Sequence, residues 1–243
     1  MLYFKKIKLN LETSSCDNDD WMFETHWEYK EGMQSPRYDL IQYFDQNADD
    51  TFNVLDVGCN FGKTLKAIKE LYPNANRYGI EIEDKLIEDS KQYGDIRNYN
   101  IEDDDGIKFD KKFFDIIMLG DVLEHLHFPH IALRNLRDYL KDDGYVLASI
   151  PNIGHFTTVI NLLNGRFYYG SKDIINIDHL RYFTFIEIIQ MFDACGYGNI
   201  LYSKNILDYK GTYAEPAVSK LAEMGFKTEH MDAYQFLIKA YKK

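Results

Sequence analysis

Short apolar and β-branched runs alternate along this chain with stretches whose apolar positions recur at helical spacing. Asn53-Val-Leu-Asp-Val57 predicts a strand. From Thr64 to Leu71 the apolar Leu65, Ile68 and Leu71 fall on one helical face, and Pro73 stops the helix. Arg77–Glu81 predicts a second strand, and Asp84–Gln92 a second helix with Asp84 as its N-cap. A third strand is expected over Asp95–Tyr99. The fourth, Phe114–Leu119, is apolar enough to be buried on both faces. Pro129–Leu140 carries Ile131, Leu133, Leu136 and Leu140 and predicts a helix. Lys141–Gly144 reads as a turn, and Tyr145–Ile150 as a fifth strand closed by Pro151. Such alternation predicts an α/β fold, a mostly parallel sheet with helices on both faces.

The pattern loosens after Pro151. Residues 154–178 hold many aromatics, three glycines and no clear period. That is too long for a simple connection, so a lid or substrate-binding insertion is expected at about 154–180. Thr184–Cys195 then predicts a helix, Asn199–Ile206 a strand, Pro216–Met224 a short helix and Tyr234–Tyr241 a last strand. This ending suits an antiparallel hairpin, for seven strands in all. Residues 36–243 are read as one domain behind an N-terminal segment, 1–35. Within that segment Trp21–Tyr29 is either an aromatic helix over the active-site mouth or a tail docked on the core.

Composition narrows the classes. Hydrophobic residues at 45% and charged residues at 28% make an ordinary globular mix. A net charge of -11 without a basic stripe argues against a nucleic-acid partner. The run Glu102-Asp-Asp-Asp105 reads as a solvated loop. Cys16, Cys59 and Cys195 are far apart and lack CxxC spacing, which suggests neither a disulfide framework nor a cysteine metal site. The start lacks a signal-peptide pattern, and the most apolar stretch, Phe113–Leu119, is far too short to span a bilayer. A cytoplasmic protein without a membrane span is expected.

The chemistry begins where the first strand ends. Asp56 is followed by a tight turn containing Gly58 and Gly62, and the helix after it offers unpaired N–H groups. Ligands bind at the carboxyl ends of the strands in such sheets. The dinucleotide pattern GxGxxG is absent, as is the Walker lysine-serine pattern.

Asp56-Val-Gly-Cys-Asn-Phe-Gly62 resembles the first motif of class I S-adenosylmethionine-dependent methyltransferases, with Asn60 where that family often has a third glycine. The resemblance spans Ser35 to Gly196. Phe114–Leu126 (FDIIMLGDVLEHL) and Asp178–Thr184 (DHLRYFT) resemble a bacterial subgroup often linked to sugar and cell-envelope biosynthesis. It implies a Rossmann-like seven-stranded fold with S-adenosylmethionine as cofactor. By the resemblance, Asp56, Gly58, Cys59, Asn60 and Gly62 wrap the methionine part and sulfonium. Glu81, followed by Ile82, matches the acid that takes both ribose hydroxyls. Asn100 and Ile101 fall where adenine is contacted, and Gly120 lies beside the methyl donor.

A hydroxyl acceptor must lose a proton, and histidine suits that task near neutral pH. His125, His155 and His179 are the candidates, His179 and His125 foremost. Asp121, Glu124, His125 and His179 also resemble the Glu-x-x-Glu-His plus distant His set of metal-dependent ubiquinone-pathway and small-RNA 2′-O-methyltransferases. Asp121 replaces the first Glu of that set. It could hold a divalent ion that lowers a hydroxyl's pKa. Against this stand plainer roles: Glu124 capping the next helix, His125 packing on the sheet, Asp121 serving the cofactor side. His127 and His130 are expected at the surface. Arg181 is open between holding a substrate anion and pairing with a lid acid. Phe156, Phe167, Tyr168 and Tyr169 are read as a lid core, and Cys59 as a packing residue.

The expected function is methyl transfer from S-adenosylmethionine to oxygen on a small molecule or sugar conjugate. The alternatives are a non-catalytic cofactor-binding protein and an RNA 2′-O-methyltransferase. The Asn-Pro-Pro-Tyr signature of N-methyltransferases is absent after the fourth strand, which mildly disfavours amide and adenine acceptors.

Overall fold

A computed structural model describes residues 35–103, 106–167, 169–170 and 173–243. The strands are β1 (Asn53–Val57), β2 (Asn76–Glu81), β3 (Asp95–Asn98), β4 (Phe114–Gly120), β5 (Leu140–Pro151), β6 (Tyr197–Ile206) and β7 (Ala233–Lys242). The helices are α1 (Tyr38–Ile41), α2 (Lys63–Leu71), α3 (Asp84–Ser90), α4 (Pro129–Arg137), α5 (Phe156–Leu163), α6 (Phe185–Ala194) and α7 (Glu215–Glu223). All seven strands join one sheet in the order β3-β2-β1-β4-β5-β7-β6. Pairing is parallel as far as β5, and β7 runs antiparallel between β5 and β6. This is the Rossmann-like seven-stranded architecture expected from the sequence.

The continuous apolar runs of the central strands reflect two-sided burial. Side chains alternate across a strand, so Ile117 and Leu119 of β4 face one layer and Ile116 and Met118 the other. The first layer packs Leu133 and Leu136 of α4 and Ile188 and Phe192 of α6. The second packs Leu40 and Ile41 of α1 and Leu65 and Ile68 of α2. Among the described residues no helix is long and apolar enough to cross a membrane.

The structure departs from the pattern in four places. Residues 154–180 contain α5, which the β-branched run Thr157-Thr-Val-Ile160 concealed. Phe156 and Ile160 pack with Ala214, Val218 and Met231 in a small separate core that also takes in α7. Lys141–Gly144 is not a free turn but part of β5. Leu140 already pairs with Phe114 before the register shifts to Tyr145 opposite Ile116. Asp84 is the first residue of α3 rather than its cap, and its carboxylate accepts from Asn98 Nδ2. The helix expected to run to Leu140 ends at Arg137. The N-terminal segment up to residue 34, with Trp21–Tyr29 and Cys16, lies outside the described residues, as do Asp104, Asp105 and Tyr168.

Candidate active site

Parallel pairing brings the carboxyl ends of β1, β2 and β4 to one edge of the sheet, with Asp56 opposite Gly79 on one side and Met118 on the other. The turn after β1 takes three left-handed residues, Gly58 (φ 68°), Asn60 (φ 49°) and Gly62 (φ 70°), before α2 begins. Glycine adopts that conformation freely and asparagine tolerates it, which accounts for Asn60 standing in a glycine place. The turn folds back on β2, where Gly58 and Cys59 N–H both donate to the Ile80 carbonyl.

Glu81 is buried at the end of β2. Its Oε2 accepts from Asn60 N–H at 2.8 Å, and its Oε1 from Ile82 N–H at 2.8 Å and Glu83 N–H at 3.2 Å. A carboxylate offers about four acceptor positions, so capacity remains for a further hydroxyl donor. Ile82, next in line, is 61% exposed at the lip of the site, where an apolar side chain suits a flat ring. Ile101 is buried. Asn100 is spent on its own loop, accepting from Glu102 N–H and donating to Asp103. Asp56 is buried, and burial pushes its carboxyl up to about 7, the nearby Glu81 charge adding to the rise while Arg37 opposes it. Two buried acids at one turn suit a ligand carrying positive charge. Cys59 faces the packed interior, and burial raises its thiol, so it is a packing residue as expected.

Nothing in the hydrophobic pattern marks Arg37, yet it enters the same cradle. It lies just before α1, its N–H donating to Thr64 Oγ1 of α2 at 3.3 Å. The segment after α1 is tied to the sheet by Lys239, which donates to the Tyr43 carbonyl at 2.8 Å and pairs with Asp45 at 2.6 Å. The Arg37 guanidinium grips Asp39 through two hydrogen bonds (2.9 and 2.8 Å) and Asp121 through one (2.8 Å). A Cβ on Gly120 would stand 3.1 Å from Arg37 Nη1, so the absent side chain makes room for the cation.

The junction after β4 is built differently. Asp121 is left-handed (φ 57°) and held from both sides by Ser149, whose Oγ accepts its N–H at 2.9 Å and donates to its Oδ1 at 2.8 Å. Gln235 Nε2 also donates to that oxygen. A 3-10 turn over Leu123–His125 follows. Glu124 is buried, and among the described residues neither of its carboxylate oxygens has a hydrogen-bond partner. Burial, with the Asp121 charge, raises its carboxyl well above the carboxylate range. The Glu124 carbonyl accepts N–H groups from Leu180 (2.8 Å) and Arg181 (3.0 Å), which brings the distant His179 beside His125. The two rings meet edge to face at 4.9 Å. His125 Nδ1 lies 3.0 Å from the Asp178 carbonyl and His179 Nδ1 2.9 Å from that of Ile174. A carbonyl only accepts, so in the neutral rings each Nδ1 carries the proton and each Nε2 keeps a lone pair. Burial holds His179 below the ordinary histidine range, and the neighbouring His125 adds to the drop.

Potential ligand atoms of Glu124, His125 and His179 all lie within 4.8 Å of one another. Asp121 is not in that group. Arg37, Ser149 and Gln235 hold the Asp121 carboxylate instead. Glu124 does not cap the next helix either. Glu102 does so from another loop, accepting from Phe128 N–H at 2.8 Å and pairing with His127, so Glu102 is no solvated loop residue. His155 is buried at the start of α5, bonded to Thr157 and the Leu207 carbonyl, and drops out as a base. His127 and His130 are exposed as expected. Arg181 donates to the carbonyls of Leu180 and His127. Phe156 joins the separate core, while Phe167 and Tyr169 meet edge-on and remain largely exposed.

A model of the methyltransferase-domain family matches residues 26–202. The ubiquinone biosynthesis O-methyltransferase of Shewanella pealeana is 24% identical over 195 residues, covering 76% of this chain and 81% of that protein. Among solved structures, an S-adenosylmethionine-dependent methyltransferase of Thermotoga maritima, described as a possible histamine N-methyltransferase, superposes with a TM-score of 0.59 at 14% identity. That match covers 84% of this chain and 86% of the other. Phosphoethanolamine N-methyltransferase 2 of Haemonchus contortus, in complex with S-adenosyl-L-methionine, superposes with a TM-score of 0.57 at 12% identity, covering 84% of this chain and 51% of that one. At such identities the two structures speak for the shared fold.

Proposed function

This chain belongs to the methyltransferase-domain family and is a class I S-adenosylmethionine-dependent enzyme, and from that premise we propose that it methylates an oxygen of a small hydroxylated molecule or sugar conjugate. The observation that carries the oxygen assignment is the pair His125 and His179, each with Nδ1 against a carbonyl and Nε2 left as acceptor, next to the end of β4.

When bound, S-adenosylmethionine supplies a methyl group on a sulfonium whose departure leaves a neutral thioether. The buried acids, the left-handed turn and the cation at Gly120 fit its charges and its close approach. Glu81 has acceptor capacity for the ribose hydroxyls. Ile82 and Ile101 line the adenine place, and the Asn100 loop shapes its rim. The Gly58–Gly62 turn and Asp56 take the amino-acid arm, and Arg37 its carboxylate. His179, with Nδ1 held by the Ile174 carbonyl, would accept the acceptor hydroxyl's proton at Nε2, and bound S-adenosylmethionine would supply the methyl group. Holding the two reactants together supplies much of the rate of such a transfer.

Glu124 favours a second reading of the same three side chains. A buried carboxylate with no donor is costly unless something cationic answers it. One carboxylate and two imidazoles, each imidazole oriented by a carbonyl behind it, form a donor set suited to a divalent transition ion. Such an ion, held by Glu124, His125 and His179, would lower the pKa of an acceptor hydroxyl.

The test is release of S-adenosylhomocysteine over a panel of hydroxylated and amine acceptors, before and after chelator treatment. Turnover on hydroxyl acceptors is expected, and turnover on amines alone would refute the oxygen assignment. Activity lost to the chelator and restored by a divalent ion supports the ion. Full activity after chelation removes it and leaves His179 as the base.

A further inference from the structure

Five side chains close into a ring at the cradle, and two of them come from beyond the span that matches the family, residues 26–202. Arg37 bonds to Asp39 and Asp121. Gln235 of β7 donates through Nε2 to Asp121, while its Oε1 accepts from Arg37 Nη2 at 3.4 Å and from Asn205 Nδ2 at 2.9 Å. Asn205 of β6 closes the ring by donating to Asp39 Oδ2 at 3.1 Å.

Gln235 is buried in a strand whose next five residues are also buried. An apolar residue would suit that position, and a buried amide is tolerated only where both its ends find partners. Here both do. Its oxygen faces a cation and its nitrogen faces an acid, and a neutral amide serves both at once without a change of protonation. Asp39 and Asp121 compete for the guanidinium from two sides. Gln235 bonds to the cation and to one competing acid, and so fixes how Arg37 is shared between them.

We propose that Gln235, supported by Asn205, is a positioning residue that holds Arg37 where it meets the carboxylate of the cofactor's amino-acid arm. The C-terminal hairpin thereby contributes to cofactor recognition as well as extending the sheet. The inference rests on the cofactor assignment made above, and its test separates the two.

Wild type, Gln235→Leu and Asn205→Ala are titrated calorimetrically with S-adenosylhomocysteine and with 5′-methylthioadenosine, which keeps the nucleoside thioether but lacks the amino-acid arm. Gln235→Leu is expected to bind S-adenosylhomocysteine about tenfold more weakly, with methylthioadenosine unchanged. Asn205→Ala should show the same contrast with a smaller loss, and it serves in place of Gln235→Leu if that variant does not fold. Gln235→Glu sets a carboxylate against Asp121 and should lose at least as much as the leucine. Equal loss of both ligands would mark a purely structural role and overturn the proposal, as would no loss of either. Wild type that binds neither ligand would overturn the cofactor assignment and this inference with it.

Discussion

The turn after β1 and the junction after β4 share an edge of the sheet, yet their buried acids live under opposite conditions. Glu81 is surrounded by N–H groups of its own and the neighbouring turn, three of which point at its carboxylate. Glu124 is as deeply buried and receives none among the described residues. The first arrangement is complete before any ligand arrives and suits binding without rearrangement. The second carries an unmet electrostatic demand, the usual mark of a group retained for chemistry at some expense in stability. On the function proposed above, the contrast separates a holding end from a reacting end.

The comparison can be broken most sharply at Glu81. Glu81→Ala should weaken S-adenosylhomocysteine binding about a hundredfold, as expected for losing two hydrogen bonds to a charged acceptor, with the fold retained by circular dichroism. Unchanged affinity would show that the acid serves only its own turn. A smaller effect comes from Asp56. Burial pushes its carboxyl up to about 7, and a cationic ligand favours the ionised form. Affinity should therefore fall as pH drops through about 7, by up to about tenfold per unit, and level off above it. Titrations at several pH values check this, and Asp56→Asn should flatten the profile. The smallest effect belongs to the reacting end and has the opposite sign. In metal-free protein Glu124→Met should stabilise the fold by about 1–3 kcal/mol, because it removes a buried carboxyl without partners. A thermal midpoint higher by several degrees, together with lost turnover, would confirm that Glu124 is kept for reactivity. A lower midpoint would show that it holds the fold together.

The two ends also differ in how far they could be read from the chain. The holding end is local. Asp56, Gly58, Asn60 and Gly62 lie within seven residues, and their left-handed backbone follows from residue type. The reacting end is assembled across more than fifty residues by two backbone hydrogen bonds to the Glu124 carbonyl, and no periodicity signals those. His179 was reached as one of three candidate bases and through the resemblance, not through any periodicity. That resemblance also placed Asp121 among the ligands, where only packing could show that Arg37, Ser149 and Gln235 claim it. Arg37 and Gln235 escaped notice for one reason: a single polar residue before a four-residue helix, or inside an apolar strand, has no local pattern to betray it. The sheet was legible throughout because two-sided burial writes itself into each strand separately, whereas α5 hid behind residues that favour strands.

β7 is last of the seven strands in the chain but lies between β5 and β6 in the sheet. During synthesis, β6 must therefore wait without its neighbour until β7 emerges, and a polypeptide cut short before Ala233 loses the seat of two strands. Gln235 arrives with that same strand. A nascent chain can form the glycine turn early, but it acquires a steadied Arg37 only when the sheet itself is finished.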